Sequence, residues 1–215
     1  MIYKPKEGYY GQFSTDALIE LYFQNKRHGV CVEVGVANGT RGSNTLYFEK
    51  RGWRTLCIEP NPLYSDGISK SRKEYVQCAC GSEYKKSSKF TVFDIGEHNI
   101  MSSLSGLQPD KRLLKTHGHV INKSYEIDVE VKTLNSILEE NNFPSKIDFI
   151  SIDTEGTELD VLKGLDFTKW DISLLVVENN FEDSDISDYL LKQGYYKDAR
   201  WKINDFYVKG ENKYA

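Results

Sequence analysis

Four apolar runs, each ending at or beside an acid, divide the chain. Val30–Val34 is β-rich and nearly all apolar, as a central parallel strand is when both its faces are covered. Arg54–Ile58 ends in Glu59, residues 147–152 end at Asp153, and residues 172–177 end at Glu178. Between them the apolar positions change period. Leu18, Ile19, Tyr22 and Phe23 recur at helical spacing and predict a helix over 14–27. Ser14 or Thr15 caps it, Asp16 suits its first turn, and His28-Gly29 stops it. Further helices are predicted over 40–51, after the Pro60 and Pro62 punctuation to about Lys73, and over 134–141, 157–165 and 187–193. A third strand is predicted over 75–80, and the closing pair 195–197 and 204–208 adds an antiparallel strand at the C-terminal end. Strands alternating with helices predict an α/β fold, a doubly wound, mostly parallel sheet.

Two segments depart from that rhythm. Ile127, Val129 and Val131 alternate strictly with Glu126, Asp128, Glu130 and Lys132, which predicts an edge strand with one wet face; 89–93 alternates in the same way. Residues 94–123 carry Gly, Ser, Asn and three of the four histidines. A stretch of that length is too long for a plain connector and is expected to form a lid over an acceptor site. The 215 residues suit one domain, with 1–28 as a helical extension and 210–215 frayed.

Composition narrows the partners. The formal charge is -4 and the pI near 5.7, which disfavours a protein that grips phosphate backbones and favours a small or neutral acceptor. No run approaches the roughly 18–20 apolar residues of a membrane span, and the N-terminus has no apolar signal core. Cys31, Cys57, Cys78 and Cys80 lie among apolar neighbours without the spacing of a metal site. They read as buried thiols in a reducing, cytoplasmic compartment.

The candidate chemistry sits at the strand ends, where open α/β sheets bind ligands. The first strand runs into Glu33-Val-Gly-Val-Ala-Asn-Gly39. Gly35 and Gly39 let backbone come close to a ligand, and the spacing Gly-x-x-x-Gly, in place of Gly-x-Gly-x-x-Gly, favours S-adenosylmethionine over a dinucleotide. Glu59, about twenty residues on, is placed to accept two hydrogen bonds from a ribose diol. The helix after Gly39, with Thr40 and Ser43, offers donors to a carboxylate, and Glu33 faces the sulfonium or amino side. The second cluster is Asp153-Thr-Glu-Gly-Thr-Glu158 with Glu178 and Asn179 on the next strand. Asp153, Glu178 and Asn179 form an oxygen set suited to a hard cation such as Mg²⁺ or Mn²⁺. The same groups also suit a site without metal, in which they bind cofactor and cap helices. His28, His98, His117 and His119 are general-base candidates by residue type alone.

Three segments resemble the FkbM-type methyltransferases: Glu33-Val-Gly-Val-Ala-Asn-Gly39, the strand end Cys57-Ile-Glu-Pro-Asn61, and the block from Ile147 through Asp153-Thr-Glu-Gly-Thr-Glu158 to Leu162-Lys-Gly164. Met101-Ser-Ser-Leu104 and Val131-Lys-Thr-Leu134 resemble further family features, and the similarity covers about 29–180. The resemblance implies a class I Rossmann-like methyltransferase fold using S-adenosylmethionine, and O-methylation of sugars, polyketides or other natural products. Carried onto these positions, Glu33, Gly35, Asn38, Gly39, Glu59 and Asp153 line the cofactor site. Pro60 and Asn61, beside Glu59, are expected to line it too, and Ala79 lies near the adenine. Glu178 and Asn179 are similar to the metal pair of catechol-type O-methyltransferases. Asn135 and Ser151 depart from the family, which often has Asp and Lys there.

The expected activity is O-methylation of a hydroxyl on a sugar or glycan, a deoxysugar among them. Asp153 serves as metal ligand or base and Glu155 as an alternate base. A module of a larger glycan-building enzyme fits as well as a whole protein. The rival expectations are a nucleic-acid or natural-product methyltransferase, a dinucleotide oxidoreductase and an inactive S-adenosylmethionine-binding module.

Overall fold

The computed structural model describes residues 6–24, 26–94 and 105–210. Its main sheet has seven strands in the order β3-β2-β1-β7-β8-β10-β9. These are β1 (Val30–Val34), β2 (Arg54–Ile58), β3 (Glu74–Val76), β7 (Lys146–Ile152), β8 (Asp171–Glu178), β9 (Tyr195–Trp201) and β10 (Asn204–Lys209). β1 pairs in parallel with both β2 and β7, and β8 continues in parallel. β10 then runs antiparallel between β8 and β9. The chain winds outward from β1 in one direction and returns at β7 to wind in the other. The crevice at the C-terminal ends of β1 and β7 is therefore the switch point at which such sheets bind ligands.

The apolar runs are two-sided because helices cover both faces. Val32, Val34, Leu56, Ile58, Ile150, Ile152, Leu175 and Val177 pack with Leu134, Ile137 and Leu138 of α5 (Leu134–Glu140), Val161 and Leu162 of α6 (Glu158–Lys163), and Ile186 and Leu190 of α7 (Ser184–Lys192). On the other face Cys31, Phe149, Leu174, Val176 and Phe206 meet Ile19 of α1 (Thr15–Tyr22) and Tyr47 and Phe48 of α2 (Leu46–Glu49). α3 (Pro62–Ser71) closes that side through Ile68, against Val36 and Cys57. All four cysteines are buried and unpaired. Among the described residues no helix is long and apolar enough to cross a membrane.

The differences from the sequence expectation have local causes. The helix expected over 40–51 survives only as α2. Asn38 Oδ1 accepts from the N–H groups of Thr40 and Arg41 and from the Thr40 hydroxyl, and Ser43 Oγ accepts from Thr45 N and Leu46 N. Such side-chain bonds offer the backbone an alternative to the helical ladder. The strand expected over 75–80 is two: β3 joins the main sheet, and β4 (Ala79–Cys80) joins a second sheet of order β4-β6-β5. There β6 (Lys123–Lys132) lies in the centre, between β4 and β5 (Lys85–Asp94), not at an edge. Alternation reports a wet face and says nothing about neighbours in the plane. Within the expected lid, α4 (Lys111–His117) and a single turn at Gly118–Val120 are helical. His98, Met101-Ser-Ser-Leu104 and 211–215 lie outside the described residues.

Candidate functional site

The crevice is built by loops that extend the β ladder beyond the strands. Gly35 N donates to Ile58 O at 2.9 Å and Asp153 N to Val34 O at 3.0 Å, so three strand-end loops run side by side. Gly35 has φ +84°, and a Cβ there would lie 1.7 Å from the Asp153 carbonyl oxygen. Its missing side chain admits the neighbouring loop. At Gly39, φ +77°, the close neighbours are Ile68 and Arg72.

Glu59 bridges two of these loops. Its Oε2 accepts from Ala37 N and its Oε1 from Asn61 N, both at 2.9 Å. Burial pushes its pKa up to about 7, with the Asp153 charge adding to the rise. Each oxygen keeps a free lone pair, since a carboxylate accepts about four hydrogen bonds. Asn61 follows Pro60 and is fully buried. Its Oδ1 caps α3 at Leu63 N, and its Nδ2 has no hydrogen-bond partner among the described residues. A buried orphan donor beside a carboxylate with spare acceptor capacity is an unfinished polar network.

Glu33 and the 39–45 loop are organised from within. The Glu33 carboxylate accepts from Ser43 Oγ, Asn44 N and Thr45 Oγ1. Arg72 Nη1 stands 3.6 Å away. The Arg72 side chain is fully buried and donates to Glu49 Oε2, Gly39 O, Ser43 Oγ and Thr45 Oγ1. Glu33 and Ser43, expected at the ligand's sulfonium side and carboxylate, therefore hold this loop, and Thr40 turns back onto Asn38. Arg72 escaped the sequence reasoning: it follows a polar helix and carries no local signal. Ala79 packs in the core of the second sheet with Phe90, Val92, Val129 and Val131.

The β7 and β8 ends bring a second cluster together. One carboxylate oxygen from each of Asp153, Glu155 and Glu178 lies within 4.8 Å of the others. Burial, with the charges of Glu158 and Glu33, pushes Asp153 up to about 7 against the lowering effect of its hydrogen bond with Glu178. Glu155 and Glu178 are pushed well above the carboxylate range, first by burial and then by their acidic neighbours. No Lys or Arg salt bridge reaches the three among the described residues. Glu155 has φ +59°, and Glu158 Oε1 holds that turn by accepting from Thr154 N, Thr154 Oγ1 and Gly156 N. A left-handed non-glycine residue costs about 1–3 kcal/mol and persists where its surroundings fix it.

Asn179, expected in the ligand set, has its amide engaged. Nδ2 donates to Asp205 Oδ2 and Asp183 O, and Oδ1 accepts from Asp183 N. The carboxylate that lies close to both Asp153 and Glu178 is Glu155. Its signal in the sequence was the Thr-Glu-Gly turn, where glycine follows the acid. His28, His117 and His119 join no such cluster among the described residues. A cleft leads away from Glu178 between α4, the start of α6 and the β8–α7 loop.

The reversed strand order, the glycine turn and the acid-bearing crevice define a class I Rossmann-like methyltransferase architecture. The chain belongs to the FkbM methyltransferase family: the sequence model of the Methyltransferase FkbM domain matches residues 33–196. It is 27% identical over 161 residues to Methyltransferase 1 of Beauveria bassiana (strain ARSEF 2860), across 66% of this chain and 62% of that protein. It is 34% identical over 84 residues to Methyltransferase sdnD of Sordaria araneosa, across 35% of this chain and 32% of that one. The chain thus spans less than two thirds of either relative. Among solved structures, the precorrin-6Y C5,15-methyltransferase of Geobacter metallireducens GS-15 superposes with a TM-score of 0.47 at 11% identity, covering 96% of this chain and 95% of that one.

Proposed function

We propose that the chain is an S-adenosylmethionine-dependent O-methyltransferase acting on a hydroxyl of a sugar, a glycan or a comparable small molecule. The observation that carries this reading is the charge imbalance of the crevice. Asp153, Glu155 and Glu178 converge, and among the described residues no Lys or Arg salt bridge reaches them. Clustered carboxylates that are partly or fully buried, with a bond from Asp153 to Glu178 but no counter-charge, are costly to ionise and stay partly protonated. A sulfonium donor and a divalent cation are ligands that such a site would favour. Glu59 and the orphan Nδ2 of Asn61 fit the diol edge of a nucleoside.

When bound, S-adenosylmethionine supplies the electrophilic methyl group and its sulfur takes the electron pair of the broken bond. The protein's part is to hold the acceptor in line and to take the hydroxyl proton. Asp153, with a pKa near 7, has the basicity for that, and Glu155 stands beside it. Asp153, Glu155 and Glu178 fit a Mg²⁺-like ion, which would supply Lewis acidity at the acceptor oxygen. The sugar reading draws support from the cleft, whose carboxylates, amides and single aromatic ring suit hydroxyl groups. The acidic balance of the chain speaks against nucleic acid.

The test is calorimetric titration of Mg²⁺ or Mn²⁺, with and without S-adenosylmethionine, in buffers of different ionisation enthalpy. A cation must displace the protons held by the acids. Binding is therefore expected to release protons, and to weaken about tenfold for each unit that the pH falls below 7, per proton displaced. A methylation screen with chelator accompanies it. Heat that is independent of buffer and pH would remove the cation from the reading, and full turnover in chelator would leave Asp153 as the base alone.

A further inference from the structure

Arg112 lines the cleft that opens on Glu178 and ties two of its walls together. Arg112 reaches from α4 to the β8–α7 loop, 71 positions along the chain. Its Nη1 and Nη2 donate to Asp183 Oδ1 and Oδ2 at 2.9 and 2.5 Å. Its Nε and Nη2 donate to Asp110 at 3.1 and 2.7 Å. Its guanidinium carbon sits 3.9 Å from the centre of the Phe181 ring. Isolated exposed ion pairs contribute little, but paired forks on two carboxylates with a stacked ring form a network. The space left inside is about 170 Å³, below the ~300–1,000 Å³ of drug-sized sites, so one ring or chain end fits at a time.

We propose that Arg112 sets acceptor specificity: clasped between Asp110 and Asp183, it holds α4 against the cleft and leaves the site open only to uncharged, hydroxyl-bearing acceptors. The inference rests on the methyltransferase reading above and names its substrate class. Among the described residues Arg112 is the one cation lining the cleft, and Asp110 and Asp183 already occupy it. The other charged liners are Glu158, Glu178 and Asp185. A phosphate or uronate would meet carboxylates and would have to displace one from the guanidinium. A neutral hydroxyl meets acceptors throughout.

The test uses the full chain with ¹⁵N-labelled arginine, the Arg112 Nε signal being identified by its loss in Arg112→Lys, and inorganic phosphate as the anionic probe. Wild type is expected to show no shift of that signal up to tens of millimolar phosphate. The variant Asp110→Asn/Asp183→Asn frees the guanidinium and is expected to bind phosphate saturably in the millimolar range. Asn caps a helix as well as Asp, so α4 is retained. Phosphate binding of equal strength in both proteins, or in neither, overturns the clasp. In the methylation screen wild type is expected to favour a neutral sugar over its uronate or phosphate by at least about tenfold, and the variant to lose that preference; equal use of both by wild type overturns the proposal. If no acceptor of any charge is methylated, the methyltransferase reading falls, while the phosphate titration still decides the clasp.

Discussion

Asp153→Asn is expected to lower methyl transfer roughly 10²–10⁴-fold and, in the same protein, to raise the melting temperature of the ligand-free chain at pH 8. The two effects have one origin. Burial raises the Asp153 pKa from 3.8 to about 7. The folded state thus holds the proton more tightly than the unfolded one. The contribution to stability is fully favourable below about pH 4 and is lost as pH rises through 7. At pH 8 the ionised group, whose hydrogen bond with Glu178 only partly offsets its desolvation, costs a few kcal/mol, which Asn does not. A gain of several degrees at pH 8 that vanishes near pH 4 is the expected pattern in thermal melts. Unchanged transfer would take Asp153 out of the mechanism. A variant less stable than wild type at pH 8 would mean that the bond with Glu178 outweighs the cost of desolvating the carboxylate.

The second large effect concerns two glycines with similar backbones and different surroundings. Gly35 and Gly42 both have positive φ, +84° and +82°. A Cβ at Gly35 would fall 1.7 Å from a carbonyl oxygen, whereas one at Gly42 meets nothing within 4 Å. Gly42→Ala therefore carries only the left-handed penalty, about 1–2 kcal/mol. Gly35→Ala adds an overlap with backbone that cannot step aside, and a loss above about 3 kcal/mol is expected in urea unfolding. It should also separate the β1 and β7 loops and weaken cofactor binding in whatever protein still folds. Equal losses at the two positions would mean that the 153–154 backbone yields, and that the crevice is softer than its ladder bonds imply.

What was legible in the sequence was what interrupts a pattern. An acid inside or just after an apolar run stands out, and Glu33, Glu59, Asp153 and Glu178 all lie at strand ends of the switch-point crevice. The parallel core was legible because residues covered on both faces leave no alternation. What could not be read depends on partners distant along the chain. Residues 40–45 look helical by periodicity, but Glu33 and Arg72 give their side chains better partners than the next helical turn does. The division of 75–80 between two sheets depends on β6, some fifty residues later. That the Asn179 amide is engaged and Glu155 lies beside Asp153 depends on Asp205, on β10, and on Glu158, which holds the left-handed turn at Glu155. Arg112 sits in a segment read as a lid, and nothing there announces Asp183.

The central claim is that S-adenosylmethionine lies over the C-terminal edge of β1 and β2 with its ribose diol on Glu59. A thermodynamic cycle by calorimetry tests it most directly, with S-adenosylhomocysteine and its 2′-deoxy analogue titrated into wild type and Glu59→Ala. Hydrogen bonds to a charged group are worth about 1.5–3 kcal/mol, so deleting the hydroxyl should weaken wild-type binding roughly 10- to 100-fold. The variant should bind both ligands weakly and alike. Full-strength binding of the deoxy analogue to wild type, or no binding of either ligand, would contradict the account.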